Sequence, residues 1–102
     1  MAINPTLFYR GAAATSSGTL YTSPNTSGAK AVLTDIVISN TSSSQQYVTM
    51  TVDGINILPA VPVSANTVIN LQPKTVLDQN KILAGFATSA DVKFHISGVE
   101  IV

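Results

Sequence analysis

The sequence predicts an all-β fold, a single antiparallel β-sandwich that is jelly-roll-like, and three observations lead to this prediction. β-branched residues are abundant, whereas Glu and Arg, which favour helices, occur once each. Apolar and polar side chains alternate with a period of two, and no helical spacing of three and four residues persists. Turn residues recur about every ten residues, a spacing typical of sandwiches, and divide the chain into seven or eight short strands.

The N-terminal segment, residues 1–18, is expected to form an extended arm beside a sandwich domain of residues 19–102. The candidate contact residues of this arm form a short, mainly apolar run: Leu7, Phe8, Tyr9 and Arg10. Chain termini are often frayed, but two adjacent aromatic rings on a frayed tail would be unusual. A frayed terminus and an arm that orders on a neighbouring subunit therefore both stay open.

The stretch from Ala31 to Leu58 predicts three consecutive antiparallel strands joined by two turns. In its middle strand, Val48 and Met50 alternate with polar residues, as in a strand with one buried face. The dipeptide Asp53-Gly54 follows, and it suits the positive φ angles of a two-residue type I′ hairpin. We expect a meander with one apolar face, which the rest of the chain covers with a second sheet.

Other residues predict where individual strands lie. The first strand of the meander is apolar on both faces, which predicts a central position in its sheet. Proline cannot donate a hydrogen bond to a sheet, so Pro59 and Pro62 make residues 58–63 an edge strand or a crossing segment. In the last strand, Ser97-Gly98 interrupts the apolar alternation, and a glycine at such a point predicts a β-bulge.

Charged residues are few and balanced. The chain has five basic and five acidic residues among 102, which gives a formal net charge of zero. Neither sign clusters along the sequence, so the basic stripe that binds a phosphate backbone is absent, and nucleic acid is not an expected partner. Weak repulsion also favours association, and we expect the chain to be a subunit of a larger assembly.

No segment predicts contact with a membrane. No apolar run approaches the roughly 18 residues of a membrane span, and the N-terminus lacks the basic and apolar regions of a secretion signal. The expectation is a protein made in the cytoplasm. The sequence contains no cysteine, so neither disulfides nor thiolate metal sites can form.

No group of residues predicts catalysis. His95 is the single histidine, and we expect it to face outward from a strand rather than to act as a base or metal ligand. No close pair of carboxylates resembles the acid and base of a glycosidase, and no Gly-x-Ser-x-Gly elbow occurs. Calcium between turns at Asp78, Asn80 or Asp91 would lack the usual ligand-rich loop. We expect no enzymatic activity, no cofactor and no metal site.

The loop of residues 40–46 is entirely polar, which predicts an exposed tip. Four residues in and beside this loop form a candidate exposed recognition site: Asn40, Gln45, Gln46 and Tyr47. A tyrosine ring can stack on a sugar, but tyrosines in a sandwich also pack at its rim or in its core. Both interpretations stay open for Tyr47.

Several short architectural motifs lie between Leu20 and Val102. They are Leu20-Tyr-Thr-Ser-Pro24, Ile36-Val-Ile-Ser-Asn-Thr41, Val52-Asp-Gly54, Val63-Ser-Ala-Asn-Thr67, Lys81-Ile-Leu83, Thr88-Ser-Ala90 and Ile96-Ser-Gly-Val-Glu-Ile101. In these motifs the chain resembles the small β-sandwich structural proteins of tailed bacteriophages. One departure is Gln79-Asn80, where similar chains often carry Gly-Asp before the penultimate strand.

This resemblance implies a non-enzymatic protein of the virion. Similar proteins serve as capsid decoration (cement) proteins, which bind and stabilise the assembled shell, or as tail, neck and fibre modules. The first role implies a homo-oligomer, either a trimer or a dimer, whose arm contacts the major capsid protein or other virion proteins. The candidate shell-binding residues are then Leu7, Phe8, Tyr9 and Arg10. The alternative implies binding of a host-surface glycan or receptor through the polar tip.

Overall fold

The computed structural model describes residues 3–102, which form nine strands in two antiparallel sheets. The strands are β1 (Ile3–Ala12), β2 (Gly18–Thr22), β3 (Lys30–Asn40), β4 (Gln46–Val52), β5 (Ile55–Val63), β6 (Thr67–Leu71), β7 (Thr75–Leu77), β8 (Ile82–Ala87) and β9 (Val92–Ile101). The all-β sandwich predicted from the sequence is confirmed. Beyond the seven or eight predicted strands, the structure adds β1, which lies within the expected arm.

The strand order is that of a jelly roll. One sheet has the order β1-β9-β3-β6, with β7 also paired to β3, and the other has the order β2-β8-β4-β5. The pairs β1–β9, β2–β8, β3–β7, β3–β6 and β4–β5 are nested along the chain, as in one long hairpin rolled into two layers. This wrapping brings the first and last strands side by side in the five-stranded sheet.

The hydrophobic core lies between the two sheets, and the predicted alternation in β4 is confirmed. Val48 and Met50 are fully buried, while Thr49 and Thr51 are partly exposed on the opposite face. The largest fully buried apolar side chains come from strands of both sheets: Leu33, Ile36, Ile38, Val48, Met50, Val63, Leu77, Leu83, Val92, Phe94 and Ile96.

The predicted meander is wrong at its first turn. β3 belongs to the five-stranded sheet, whereas β4 and β5 belong to the four-stranded sheet, so the loop after Asn40 crosses the sandwich. Alternation shows which side of a strand faces the core, but both sheets of a sandwich have such a side, so it cannot assign a strand to either sheet. The predicted central position of β3 is confirmed, because β9 flanks it on one side and β6 and β7 on the other.

The second turn and the following edge strand agree with the sequence. Asp53 and Gly54 have φ angles of 52° and 79°, the two positive values of a type I′ turn. β5 is an edge strand, as Pro59 and Pro62 predict, and its register with β4 shifts twice. Ala60 also adopts a positive φ of 50° in this strand. These irregularities protect the edge against pairing with another chain.

The predicted bulge occurs beside Ser97 and Gly98, but on the neighbouring strands. β3 carries Thr34 as an extra residue at this level, and β1 carries Phe8 as an extra residue. β9 itself keeps its alternation through Gly98, so Val99 faces away from the core. The two bulges increase the local twist of this sheet where its longest strands meet.

Candidate interaction surfaces

The structure places most of the expected arm within the sandwich. β1 is the edge strand of the five-stranded sheet and pairs with β9 from Ile3 to Ala12. Backbone contacts continue beyond it, since the Ala13 nitrogen donates to the Val92 oxygen (2.8 Å) and the Ala87 nitrogen to the Ala14 oxygen (2.9 Å). Residues 1–2 of the expected arm lie outside the described part of the chain. Within that part, β1 therefore helps to cover the core.

Two of the four candidate shell-binding residues pack into this core. Phe8 is only 7% exposed, and its ring stacks on Tyr21 with the ring centroids 3.9 Å apart and the planes 10° from parallel. Tyr9 contacts Phe94 edge to face at 6.3 Å, and its hydroxyl donates to the Ala12 oxygen at 2.7 Å. The Phe8 ring is therefore unavailable to a partner while β1 stays paired, and the Tyr9 ring is partly buried against the core. The bulge at Phe8 turns two consecutive aromatic rings to the same side, which simple alternation does not predict.

A polar pair lies beside the aromatic stack. The Tyr21 hydroxyl donates a hydrogen bond to the Glu100 carboxylate, which joins β2 of one sheet to β9 of the other. Burial of Tyr21, followed by the hydrogen bond and the charge of Glu100, raises the pKa of the phenol well above its ordinary value. The phenol therefore remains neutral and keeps donating throughout the physiological pH range.

The other two candidate residues, Leu7 and Arg10, point away from the core. We call the outward-facing side of the five-stranded sheet the outer face. Leu7 is 47% exposed there, and Arg10 is also exposed. The strand register sets Arg10 beside His95 of β9, and His95 beside Val37 of β3. His95 is exposed, which confirms the prediction that it faces outward.

The outer face also carries a row of apolar side chains. The register aligns four of them across four strands: Pro5, Val99, Val32 and Val76. Ile3 extends the patch at the start of β1, and Val68 lies on the same face of β6. Such a concentration on one side of a sheet is typical of protein contact surfaces.

The structure divides the predicted polar tip into a buried anchor and an exposed part. The expectation that Asn40 is exposed is wrong, because its side chain is only 2% exposed. Its amide nitrogen donates to the Ser44 and Val63 oxygens at 3.0 Å and to the Ser64 oxygen at 3.2 Å. Its amide oxygen accepts from the Ser42 nitrogen at 3.0 Å. Asn40 thus ties the crossing loop to the end of β5.

Replacing Asn40 by alanine is expected to lower the free energy of unfolding by about 2 kcal/mol, because buried carbonyl groups lose their donors. N40D is expected to destabilise at least as strongly, because a carboxylate would face the same carbonyl oxygens. Chemical denaturation measures both effects. Asn70→Ala is the control, because Asn70 is exposed on β6 and should change stability by less than about 0.5 kcal/mol. Equal stability of N40A and N70A would contradict the anchoring role.

The other three residues of the candidate tip lie together near the surface. The Gln45 amide donates to the Tyr47 hydroxyl at 3.1 Å, and Tyr47 is 44% exposed. Gln46 is half-buried: its amide donates to the Ser44 hydroxyl at 3.0 Å and its oxygen accepts from the Thr88 hydroxyl at 2.5 Å. Gln45 and Tyr47 are therefore accessible to a ligand, while Gln46 mainly stabilises the loop.

Two functional features are absent from residues 3–102. No group of three or more His, Asp or Glu side chains is placed there to hold a metal ion. That part of the chain also contains no helix that is long and apolar enough to cross a membrane.

Comparison with known proteins finds solved structures of low similarity and no matching family. No protein-family model matches the chain, and no curated protein matches it. One similar structure is a pentameric capsid protein isolated from metagenomic phage sequences, with 16% identity, a TM-score of 0.42, and coverage of 95% of this chain and 60% of that one. Another is CBM35 from Paenibacillus barcinonensis, with 11% identity, a TM-score of 0.38, and coverage of 100% and 99%. The chain thus spans 60% of the length of the capsid protein.

Proposed function

We propose that this chain is a non-enzymatic structural protein of a virion, and specifically a capsid decoration protein that binds the assembled shell. The observation that carries this proposal is the outer face of the five-stranded sheet. Four large apolar side chains on it are strongly exposed: Ile3 (69%), Val68 (64%), Val76 (53%) and Leu7 (47%). Exposure of these side chains does not stabilise a folded monomer, whereas contact with another protein removes them from water, which is favourable.

The proposed mechanism needs only binding. A protein that binds the assembled lattice and not its free subunits stabilises the lattice by mass action. Low, balanced charge supports association into a homo-oligomer at a symmetry axis of the shell. In this proposal Leu7 and Arg10 contact the shell, whereas Phe8 and Tyr9 hold β1 in the sheet.

A test of the shell contact requires a point substitution, because deletion of residues 1–18 would also remove β1. Leu7→Asp is expected to reduce binding to undecorated shells by about tenfold or more, since it would replace an apolar contact by a carboxylate that loses its hydration. Co-sedimentation with purified shells measures the bound fraction. Ile55→Asp is the control: Ile55 is 71% exposed but begins β5 in the other sheet, so its replacement should leave binding unchanged.

The thermal stability of both variants should equal that of the original chain, because both side chains are exposed. Undiminished co-sedimentation of L7D would contradict the proposed contact, and so would an equal loss in both variants. Quantitative mass spectrometry of whole particles adds a second criterion. A copy number comparable to that of the shell protein supports decoration, whereas a few copies per particle would contradict it.

The second candidate function is a tail, neck or fibre module that binds a host-surface glycan or receptor. The observation in its favour is the exposed Tyr47 ring, whose hydroxyl accepts a hydrogen bond from Gln45. An aromatic ring can stack on the apolar face of a sugar, and a nearby amide can form hydrogen bonds with the sugar hydroxyl groups. A low copy number, together with glycan binding that is lost in Tyr47→Ala, would favour this function over decoration.

A further inference from the structure

Two adjoining hollows on the outer face share Arg10 and His95. They have volumes of about 440 Å³ and 400 Å³. The first extends along β1 and β9 past Leu7 and Val99, and the second extends toward β3 past Lys93. We call the two hollows together the basic groove. It joins the apolar part of the outer face to a cluster of basic side chains.

The basic side chains come together through the strand register. Arg10 on β1 lies beside His95 on β9, and Lys93 lies two residues before His95 on the same face of that strand. Within residues 3–102, neither Arg10 nor Lys93 forms an ion pair, although the Lys93 ammonium donates to the Ala90 oxygen at 2.8 Å. Two cationic groups and an imidazole are therefore concentrated at one place in a chain with no net charge.

Of the other three basic side chains, two are engaged in ion pairs, and Lys74 has no ion pair within residues 3–102. Lys30 and Lys81 form ion pairs with Asp78 at 2.6 Å and with Asp53 at 3.8 Å, respectively. On β3, Asp35 lies opposite Ser97, which lines the first hollow, and it accepts hydrogen bonds from two neutral groups, the Thr34 hydroxyl (3.3 Å) and the Gln72 amide (3.4 Å). Because Arg10 and Lys93 pair with none of the carboxylates of residues 3–102, these two cations are available to an external anion.

We propose that the basic groove binds an extended acidic segment of a partner protein, in which carboxylates alternate with apolar side chains. The Arg10 guanidinium can bind a carboxylate through two parallel hydrogen bonds, and Lys93 and His95 supply further donors. Pro5, Leu7 and Val99 line the neighbouring hollow and would contact the apolar side chains of the segment. Nucleic acid fits less well, because its affinity depends on many phosphate contacts and this groove is partly apolar.

This inference rests on the proposed function in one respect only: if the chain decorates a shell, the acidic segment belongs to a shell protein. The chemistry of the groove does not depend on that source. A soluble peptide therefore tests the inference without any shell, so its failure can be distinguished from failure of the proposed function.

The test is a titration of the ¹⁵N-labelled full chain with the capped peptide Leu-Glu-Leu-Glu-Leu, followed by NMR. The amide signals of Arg10, Lys93, His95 and Val99 are expected to shift together. Arg10→Gln and Lys93→Gln should each weaken binding by about tenfold, because each removes a charge-assisted hydrogen bond. Lys74→Gln is the matched control, because Lys74 is an exposed cation between β6 and β7 and should not affect affinity.

Three outcomes would overturn the proposal. The first is absence of shifts at the groove when the peptide is present at millimolar concentration. The second is a lack of charge specificity, seen either as equal binding of the capped peptide Leu-Gln-Leu-Gln-Leu, which lacks the carboxylates, or as an equal loss of affinity in K74Q. The third is tighter binding of a single-stranded oligothymidylate at the same residues, which would identify the groove as a nucleic-acid site.

Discussion

Replacing Gly98 by alanine is expected to lower the free energy of unfolding by about 3 kcal/mol or more. A Cβ atom at this position would lie 2.1 Å from the Val32 oxygen and 2.7 Å from two ring atoms of Phe8. The Val32 oxygen belongs to the backbone of the central strand β3, and the Phe8 ring is held against Tyr21. Because neither neighbour can move without breaking the sheet or the stack, the variant must distort both. Urea denaturation measures the loss.

Gly18→Ala is the matched control for this effect. At Gly18 the nearest atom to an added Cβ is the Ser16 oxygen, 3.9 Å away, so the methyl group meets no obstacle. Its effect on stability should stay within about 0.5 kcal/mol. If G98A proved as stable as G18A, this result would contradict the close packing described for β1, β9 and β3 at the bulges.

Replacing Phe8 by alanine is expected to cost about 3 to 5 kcal/mol of unfolding free energy, the usual effect of removing a buried aromatic ring. The ring contributes to the core and stacks on Tyr21, and its loss leaves a cavity over Gly98. Hydrogen exchange should show faster opening of β1 in this variant, because the ring anchors the strand between the sheets. Chemical denaturation gives the total loss of stability.

Leu7→Ala is the control for Phe8, since Leu7 is the preceding residue and is 47% exposed. It should cost less than about 1 kcal/mol. A stable F8A variant that has lost only its binding to shells would contradict the packing described for β1. Such a result would restore Phe8 as a contact residue of a detachable arm.

The integrity of β1 matters because both proposed surfaces depend on this strand. Leu7 belongs to the exposed apolar patch, and Arg10 belongs to the basic groove. Both side chains reach the outer face only because β1 is paired with β9 along its length. Substitutions that loosen β1 should therefore weaken binding indirectly, so the stability of each binding variant has to be measured beside its affinity.

The sequence by itself determined the features that depend on a residue and its near neighbours. The alternation around Val48 and Met50 predicted a half-buried strand, because side chains of a strand point to alternate faces. Asp53-Gly54 predicted its turn, because these residues tolerate positive φ angles. Pro59 and the following proline predicted an edge strand through the missing amide hydrogens. The jelly-roll class followed from strand number and spacing, which are also local properties.

The tertiary structure alone decided which distant residues meet. Alternation assigns the inner side of a strand but not its sheet, so the sequence could not separate β3 from β4. The sequence predicts an exposed loop position for Asn40. Its burial depends on the end of β5, where the Val63 and Ser64 oxygens accept hydrogen bonds from its amide. Arg10 and His95 come from opposite ends of the chain and meet because β1 pairs with β9. Contacts of this kind depend on nested long-range pairing, whose register is set by the packing of the whole core.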